Sequence, residues 1–178
     1  MLRGDKVYLR AREEADVAVL HRELYDDVEG FARADGRAWH PRALSTGSPY
    51  DPKAPNDHAT PFTIVAVEGD ELAGEALLWD IDLHNRYAHV GIALLPGVRG
   101  RGLGTETVEL LTGYGFDVLG LHRLQLETLA DNAAMISAAQ KVGYRLEGTL
   151  RESAWVLGTF VDEVILGLVA DEWRSGRG

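Results

Sequence analysis

The sequence predicts a mixed α/β fold in one domain over residues 1–178, a mostly antiparallel, twisted sheet of about seven strands flanked by about four helices. Three observations carry this. Stretches with a two-residue apolar period are interrupted by stretches with a helical period, turn residues separate three consecutive strand stretches in the middle, and only one β-α-β crossover follows them. A chain of 178 residues is enough for one well-packed domain and short for two.

Residues 6–10, KVYLR, read as a first strand with Val7 and Leu9 on one face. Over 13–25, Ala15, Val17, Ala18, Leu20 and Leu24 suit an amphipathic helix whose start is favoured by Glu13 and Glu14, and a second helix follows over 28–34. The stretch 36–61 holds five of the six prolines among Gly, Ser, Asn and Asp, and reads as loop. A loop this long in a compact domain is a mobile connection or a working surface, and Trp39, His40, Tyr50 and His58 favour substrate contact. Strands at 62–67 and 72–79 flank the turn Glu68-Gly69-Asp70-Glu71, and a turn at 82–85 leads into a third strand over 86–95. Between 105 and 119, Val108, Leu111, Gly115, Val118 and Leu119 share a helical face that Gly120 ends. Leu124, Leu126 and Thr128 then alternate as a strand, Asp131 or Asn132 caps a helix that stops at Gly143, and strands over 144–156 and 160–169 form a hairpin about Leu157-Gly158-Thr159.

Composition narrows the chemistry. With no Cys, disulfides, thiolate metal sites and a cysteine acyl-enzyme are excluded. The net charge of −10 repels nucleic acid and anionic membranes and either mildly favours cationic partners such as amines or serves only to keep the protein soluble. No apolar run approaches the length of a membrane span and MLRGDKVYLR lacks the apolar core of a secretory signal, so a cytoplasmic location is expected.

The stretch 94–105, LLPGVRGRGLGT, is the most informative. Gly100, Gly102 and Gly104 open the backbone between a strand and a helix start, where unpaired N–H groups and the dipole favour an anion, and Arg99 and Arg101 add planar cations. A phosphate cradle is the reading. A nucleoside-triphosphate loop would need Lys then Ser or Thr after the last glycine, and Thr105-Glu106 stand there instead. A dinucleotide fingerprint would need other glycine spacing and several crossovers in succession, although Glu127 lies where its ribose-binding acid would fall.

Arg99-x-x-Gly102-x-Gly104, followed by Asn132 and by Lys141-Val142-Gly143-Tyr144, resembles the coenzyme A signature of the GNAT superfamily of N-acyltransferases. The run RGRGLGTE, the later GTFVDEV and the closing Asp171-Glu172-Trp173 resemble most the subgroup that acetylates the N-termini of ribosomal proteins, which also contains acyltransferases for small molecules. The resemblance implies acetyl-CoA or another acyl-CoA as co-substrate, without a metal. It implies direct attack of a primary amine in a ternary complex, the amine belonging to a small molecule or a protein N-terminus. The backbone of Ala93, Leu94 and Leu95 would lie along the pantetheine arm; Arg99, Gly100, Arg101, Gly102, Gly104 and Thr105 would hold the pyrophosphate. Asn132 would touch the pantetheine amide or serve purely as a helix cap.

The general acid is where the chain departs from this pattern. Ala139 and Met135 occupy the two positions where relatives keep a Tyr or Ser donor, leaving Ser137 and Tyr144 nearby as substitutes, or solvent. In Ala88-His89-Val90-Gly91, His89 stands where the subgroup often has a Glu base, and an imidazole titrating near neutrality suits that task. Asp80, Asp82 and His84 are candidates for orienting a cationic acceptor together with Trp39. A homodimer through the terminal hairpin is expected from the family type. The second function class is an acyl-CoA-binding sensor that has lost catalysis, and the third a dinucleotide-binding protein.

Overall fold

The computed structural model describes residues 1–54 and 56–176. A single eight-stranded sheet runs in the order β1-β2-β3-β4-β5-β6-β8-β7. Its strands are β1 (Leu2–Arg3), β2 (Val7–Arg10), β3 (Ala59–Ala66), β4 (Glu71–Asp82), β5 (Tyr87–Leu94), β6 (Arg123–Leu129), β7 (Arg145–Val156) and β8 (Thr159–Val169). The helices are α1 (Glu14–Leu20), α2 (Val28–Ala34), α3 (Leu103–Gly113), α4 (Ala133–Val142) and α5 (Ala170–Ser175). Every neighbouring pair is antiparallel except β5 with β6, which α3 connects. One crossover is too few for a dinucleotide domain.

Eight strands and five helices exceed the expected number by one each. The added strand is a two-residue pairing, Leu2 opposite Leu9 and Arg3 opposite Tyr8, too short to leave a period in the sequence. The added helix, α5, buries Ala170 and Trp173. The long loop also ends earlier than expected. Ala59, Thr60 and Pro61 already pair with β4, and Pro61 is tolerated because β2 reaches only Thr63, so β3 has one neighbour at the proline. Within the loop, Leu44–Thr46 form a 3₁₀ turn, while Pro55 lies outside the described residues.

Two helices contain a π turn that the periodicity did not foresee. Residues His21–Tyr25 extend α1 and Tyr114–Val118 extend α3. The extra residue rotates the face that follows. Val118, expected inside, is 65% exposed, and Phe116 is buried in its stead. Upstream of its π turn, α1 also departs from the expected face: Ala15 and Ala18 face solvent, whereas Asp16, Val17 and Leu20, and then His21, Leu24 and Tyr25, point inward.

The core is continuous across the strands, with Leu9, Ile64, Leu78, Leu124, Leu126 and Leu166 each at most 1% exposed. Fully burying such a side chain contributes about 1.5–3 kcal/mol. Polar contacts fix the layers around it. In α1, Asp16 accepts two bonds from Arg10, both at 2.7 Å, and one from the Thr63 hydroxyl at 3.0 Å. In α3, Glu106 accepts the backbone N–H groups of Asp5, Lys6 and Val7 at 2.7–2.9 Å, which ties the start of β2 to the helix that follows the glycine loop. No helix among the described residues is long and apolar enough to cross a membrane.

Candidate functional site

The site begins where β5 and β6 part. Their parallel pairing covers only Tyr87 with Arg123, Ala88 with Leu124 and His89 with Gln125, yet β5 continues to Leu94 and β6 to Leu129. Beyond His89, β5 keeps β4 on one side, with Ala93 opposite Glu75 and Leu94 opposite Gly74, and has no strand on the other. Backbone groups of Ala93 and Leu94 thus border a wedge that an extended, amide-containing molecule can fill as a strand would. Leu95 is turned away, its N–H donating to the Ala73 carbonyl at 2.9 Å.

At the end of β5, Pro96–Val98 form a 3₁₀ turn and the chain passes through Gly100 at φ 79° and Gly102 at φ 80° into α3. Gly102 is the N-cap and carries no side chain to accept the first amides of the helix. Those donors are therefore available to an anion. A Cβ on Gly102 would also lie 3.1 Å from Lys6 Nζ. That ammonium, brought in by the turn that leads into β2, stands beside the loop, and nothing in the local sequence of the loop announces it. Of the two expected arginines, Arg99 donates through Nε to the Leu94 carbonyl at 3.1 Å. Arg101 forms ion pairs with Glu71 and Glu68 instead. Arg99 and Lys6 thus face the loop with no carboxylate partner among the described residues, while Arg101 is largely neutralised. Gly104 faces Ile92 and Leu94, where a Cβ would sit in ordinary contact at 3.6–3.7 Å, and Thr105 follows in the first turn. Open amides, positive-φ glycines and two unneutralised cations fit the pyrophosphate of coenzyme A.

His89 is 9% exposed on β5, directly at the fork. Its ring lies 4.4 Å from that of Trp79 and 5.6 Å from that of Tyr87. Nε2 is 3.9 Å from Asp80 Oδ2 and Nδ1 is 3.8 Å from Glu127 Oε1. Asp80 reaches this position through an irregularity in β4, where the register with β5 shifts between Trp79 and Asp82 and Asp80 adopts φ 50°. Left-handed geometry at a non-glycine residue costs on the order of 1–3 kcal/mol and is concentrated at working sites. The Tyr87 hydroxyl donates to Asp80 Oδ2 at 2.9 Å, and that bond raises the hydroxyl's pKa above its ordinary value.

The other expected residues are placed as follows. Asn132 caps α4, accepting the Met135 N–H at 3.2 Å while its Nδ2 donates to the Thr128 hydroxyl at 2.9 Å. Ser137 is exposed on α4. Tyr144 is not at the fork: it is 2% exposed in the core with its hydroxyl 3.0 Å from that of Thr112, and burial pushes its pKa up, so it is a packing residue rather than a proton donor. Asp82 is committed to its own turn, accepting the backbone N–H groups of His84 and Asn85 at 2.8 Å, and the Asn85 amide holds its carboxyl below the usual range. His84 is exposed in that turn. Trp39 packs on Tyr25 and donates its indole N–H to the Tyr25 carbonyl at 2.8 Å, which makes it a strut of the loop. The residues brought together at the fork are His89, Asp80, Tyr87, Trp79 and Glu127.

A profile of the Acetyltransferase (GNAT) domain matches residues 6–145. The Probable N-acetyltransferase YjcK of Bacillus subtilis (strain 168) is 27% identical over 175 residues, 95% of this chain and 97% of that protein. Spermidine N(1)-acetyltransferase of Escherichia coli (strain K12) is 32% identical over 97 residues, 54% of this chain and 52% of its own length. The Putative ribosomal N-acetyltransferase YdaF of Bacillus subtilis (strain 168) is 28% identical over 106 residues, 60% of this chain and 58% of that protein. In three dimensions the spermidine N-acetyltransferase from Vibrio cholerae, solved in complex with CoA and spermine, superposes with a TM-score of 0.79 at 19% identity, covering 95% of this chain and 98% of that one, and so shares the fold. With a glycine cradle, a forked sheet and a domain profile over most of its length, the chain belongs to the GNAT acetyltransferase family, enzymes that transfer an acetyl group from coenzyme A to an amine.

Proposed function

We propose that this acetyltransferase acts on a small cationic amine, with His89 as the general base. The carrying observation is the position of His89 at the fork between two carboxylates, Asp80 and Glu127. Bound acetyl-CoA supplies the activated acyl thioester. The α3 amides, Gly100, Gly102, Thr105, Arg99 and Lys6 hold its pyrophosphate, the backbone of Ala93 and Leu94 aligns its arm, and Asn132, the cap of α4 just past the end of β6, is the candidate contact to its amide. Asp80, 62% exposed at its side chain, collects the ammonium form of the acceptor, and His89 Nε2 removes its proton. The nitrogen then forms its bond to the acyl carbon as the carbon–sulfur bond breaks and releases its second proton to solvent, while the thiolate takes a proton from solvent or from exposed Ser137, which is reprotonated by solvent. Alignment in the ternary complex lowers much of the barrier. The spermidine acetyltransferases among the relatives support a polyamine-like acceptor over a protein N-terminus, and the net charge of −10 agrees. Residues 1–178 act as one domain, supported by a sheet that draws strands from both ends of the chain.

With saturating spermidine, spermine or an N-terminal peptide as acceptor, His89→Gln is expected to lower kcat by about 100- to 1,000-fold and to leave acetyl-CoA affinity unchanged. Unchanged turnover across pH would remove His89 from the chemistry.

The same proposal includes self-association through β7. This strand closes one edge of the sheet, and Trp155, Leu157 and Phe160 at its hairpin are 57–61% exposed. An apolar, unpaired edge of this kind is a ready pairing surface. A neighbour in fold, the Vibrio cholerae spermidine N-acetyltransferase, is described as dodecameric. Sedimentation of wild type should show an oligomer that Trp155→Glu with Phe160→Glu dissociates; a monomeric wild type defeats this part.

A further inference from the structure

Among the polar side chains of the described residues, His89 Nδ1 is the one buried atom without a hydrogen-bond partner. Leaving a buried ring nitrogen unpaired is unfavourable, and such an atom in a working site calls for an explanation. The oxygen it faces is Glu127 Oε1, at 3.8 Å across the fork. We propose that Glu127 is the positioning residue of His89: it holds the ring proton on Nδ1, so that the Nε2 lone pair faces Asp80 and the incoming amine. The inference rests on the base role given to His89 above.

The placement follows from the register. Gln125 pairs with His89 at the last rung of the parallel ladder, and Glu127, two residues further along β6, therefore projects from the same face just where the strands separate. Its carboxylate is held from behind. Gln125 Nε2 donates to Glu127 Oε1 at 2.7 Å, Arg123 donates to Gln125 Oε1 at 3.1 Å, and Arg123 is itself paired with Glu147 of β7. A carboxylate fixed beside a buried imidazole nitrogen repels a lone pair and attracts an N–H, which selects the Nδ1–H tautomer.

Asp80 does not compete for this role. It lies on the Nε2 side, its side chain is mostly exposed, and the Tyr87 hydroxyl already occupies Oδ2. The charged and titratable groups facing the ring are thus Asp80 from β4, Tyr87 from β5 and Glu127 from β6. The Trp79 ring at 4.4 Å restricts the imidazole's tilt. A separation of 3.8 Å must shorten to about 2.7–3.2 Å to make a bond, and catalytic hydrogen bonds commonly tighten in this way once substrates are in place. In the step itself, one proton leaves the ammonium and joins Nε2. The Nδ1 proton stays where it is, pointing at Glu127, and the imidazolium later returns the extra proton to solvent.

Long-range proton–nitrogen correlation spectra of the histidine-labelled full chain test this directly, with the His89 signals assigned by their loss in His89→Gln. Wild type should show neutral His89 protonated at Nδ1. Glu127→Leu should move the proton to Nε2 and lower kcat about 10- to 100-fold, with the KM for acetyl-CoA unchanged. Glu127→Gln, which keeps an acceptor without the charge, should retain the tautomer and give an intermediate kcat. It also serves if the leucine variant folds poorly. A wild-type ring protonated at Nε2, or a tautomer indifferent to Glu127→Leu, overturns the assignment. If the tautomer responds as described but His89→Gln turns over normally, Glu127 still orients His89 and only the base role fails.

Discussion

Gly102→Asp is expected to weaken acetyl-CoA binding by at least about 100-fold, equivalent to roughly 2.7 kcal/mol. Three effects act together. The residue sits at φ 80°, where a side chain adds left-handed strain. Its carboxylate would cap the first amides of α3 that are proposed to meet the phosphates, and it would approach Lys6, since even a Cβ lies 3.1 Å from Nζ. A negative group would then occupy the anion's place with the local cation already neutralised. Calorimetric titration with acetyl-CoA gives the result directly, and Arg99→Ala should show a smaller loss of about 10-fold because one of several donors is removed. Affinity within threefold of wild type for Gly102→Asp would mean the phosphates dock elsewhere.

Glu75→Leu should destabilise the fold by about 3–5 kcal/mol, the range for leaving a buried charge without its partner. Glu75 Oε2 accepts from Arg12 at 2.9 Å, and the Arg12 side chain is only 6% exposed. Arg12 also donates to the Phe62 carbonyl at 3.1 Å and stands over the Tyr50 ring at 5.6 Å, so it ties α1 and the long loop to β3 and β4. The two single substitutions are not equivalent. Burial pushes the Glu75 carboxyl up and Arg12 pulls part of the way back, so in Arg12→Leu the acid can escape its cost by binding a proton. A guanidinium cannot lose its charge. Arg12→Leu should therefore be milder than Glu75→Leu, and the double variant should recover part of the loss, short of wild type because the Phe62 carbonyl loses its donor. Chemical denaturation of the three variants checks the order. Equal losses for both singles would show that the pair is better solvated than its burial indicates.

Much of the architecture was legible because it depends on local periods. The meander, the glycine loop and the terminal hairpin lie where alternation and turn residues put them, and Asn132 caps α4 as its type and position suggest. Val118 was misplaced because a π turn inserts one residue into the helical count, and no residue type marks such an insertion. Tyr144 looked available because it is close in sequence to Asn132, whereas the turn at Gly143 directs it into the core against Thr112. Lys6 was legible only after folding, and Glu127, which the sequence offered as a ribose-binding acid, is found beside His89 instead. One arrives from the turn that precedes the second strand and the other from a strand beyond the crossover, and the contacts that give them meaning lie far away in sequence. Arg101 illustrates the converse: its local surroundings suggested a phosphate ligand, while Glu68 and Glu71 across the sheet absorb its charge.

The short parallel ladder between β5 and β6 has a mechanical consequence. Three rungs join strands β1–β5 to strands β6–β8, so the two parts of the sheet are linked by a short ladder beside the proposed site. A molecule lying along β5 adds the missing rungs there and braces one half of the protein against the other. Substrate and scaffold then share a seam. Occupancy at 100 times the dissociation constant adds about 2.7 kcal/mol to the resistance of the whole chain to unfolding. If acetyl-CoA occupies the wedge as proposed, the melting temperature of the chain is expected to rise with acetyl-CoA concentration.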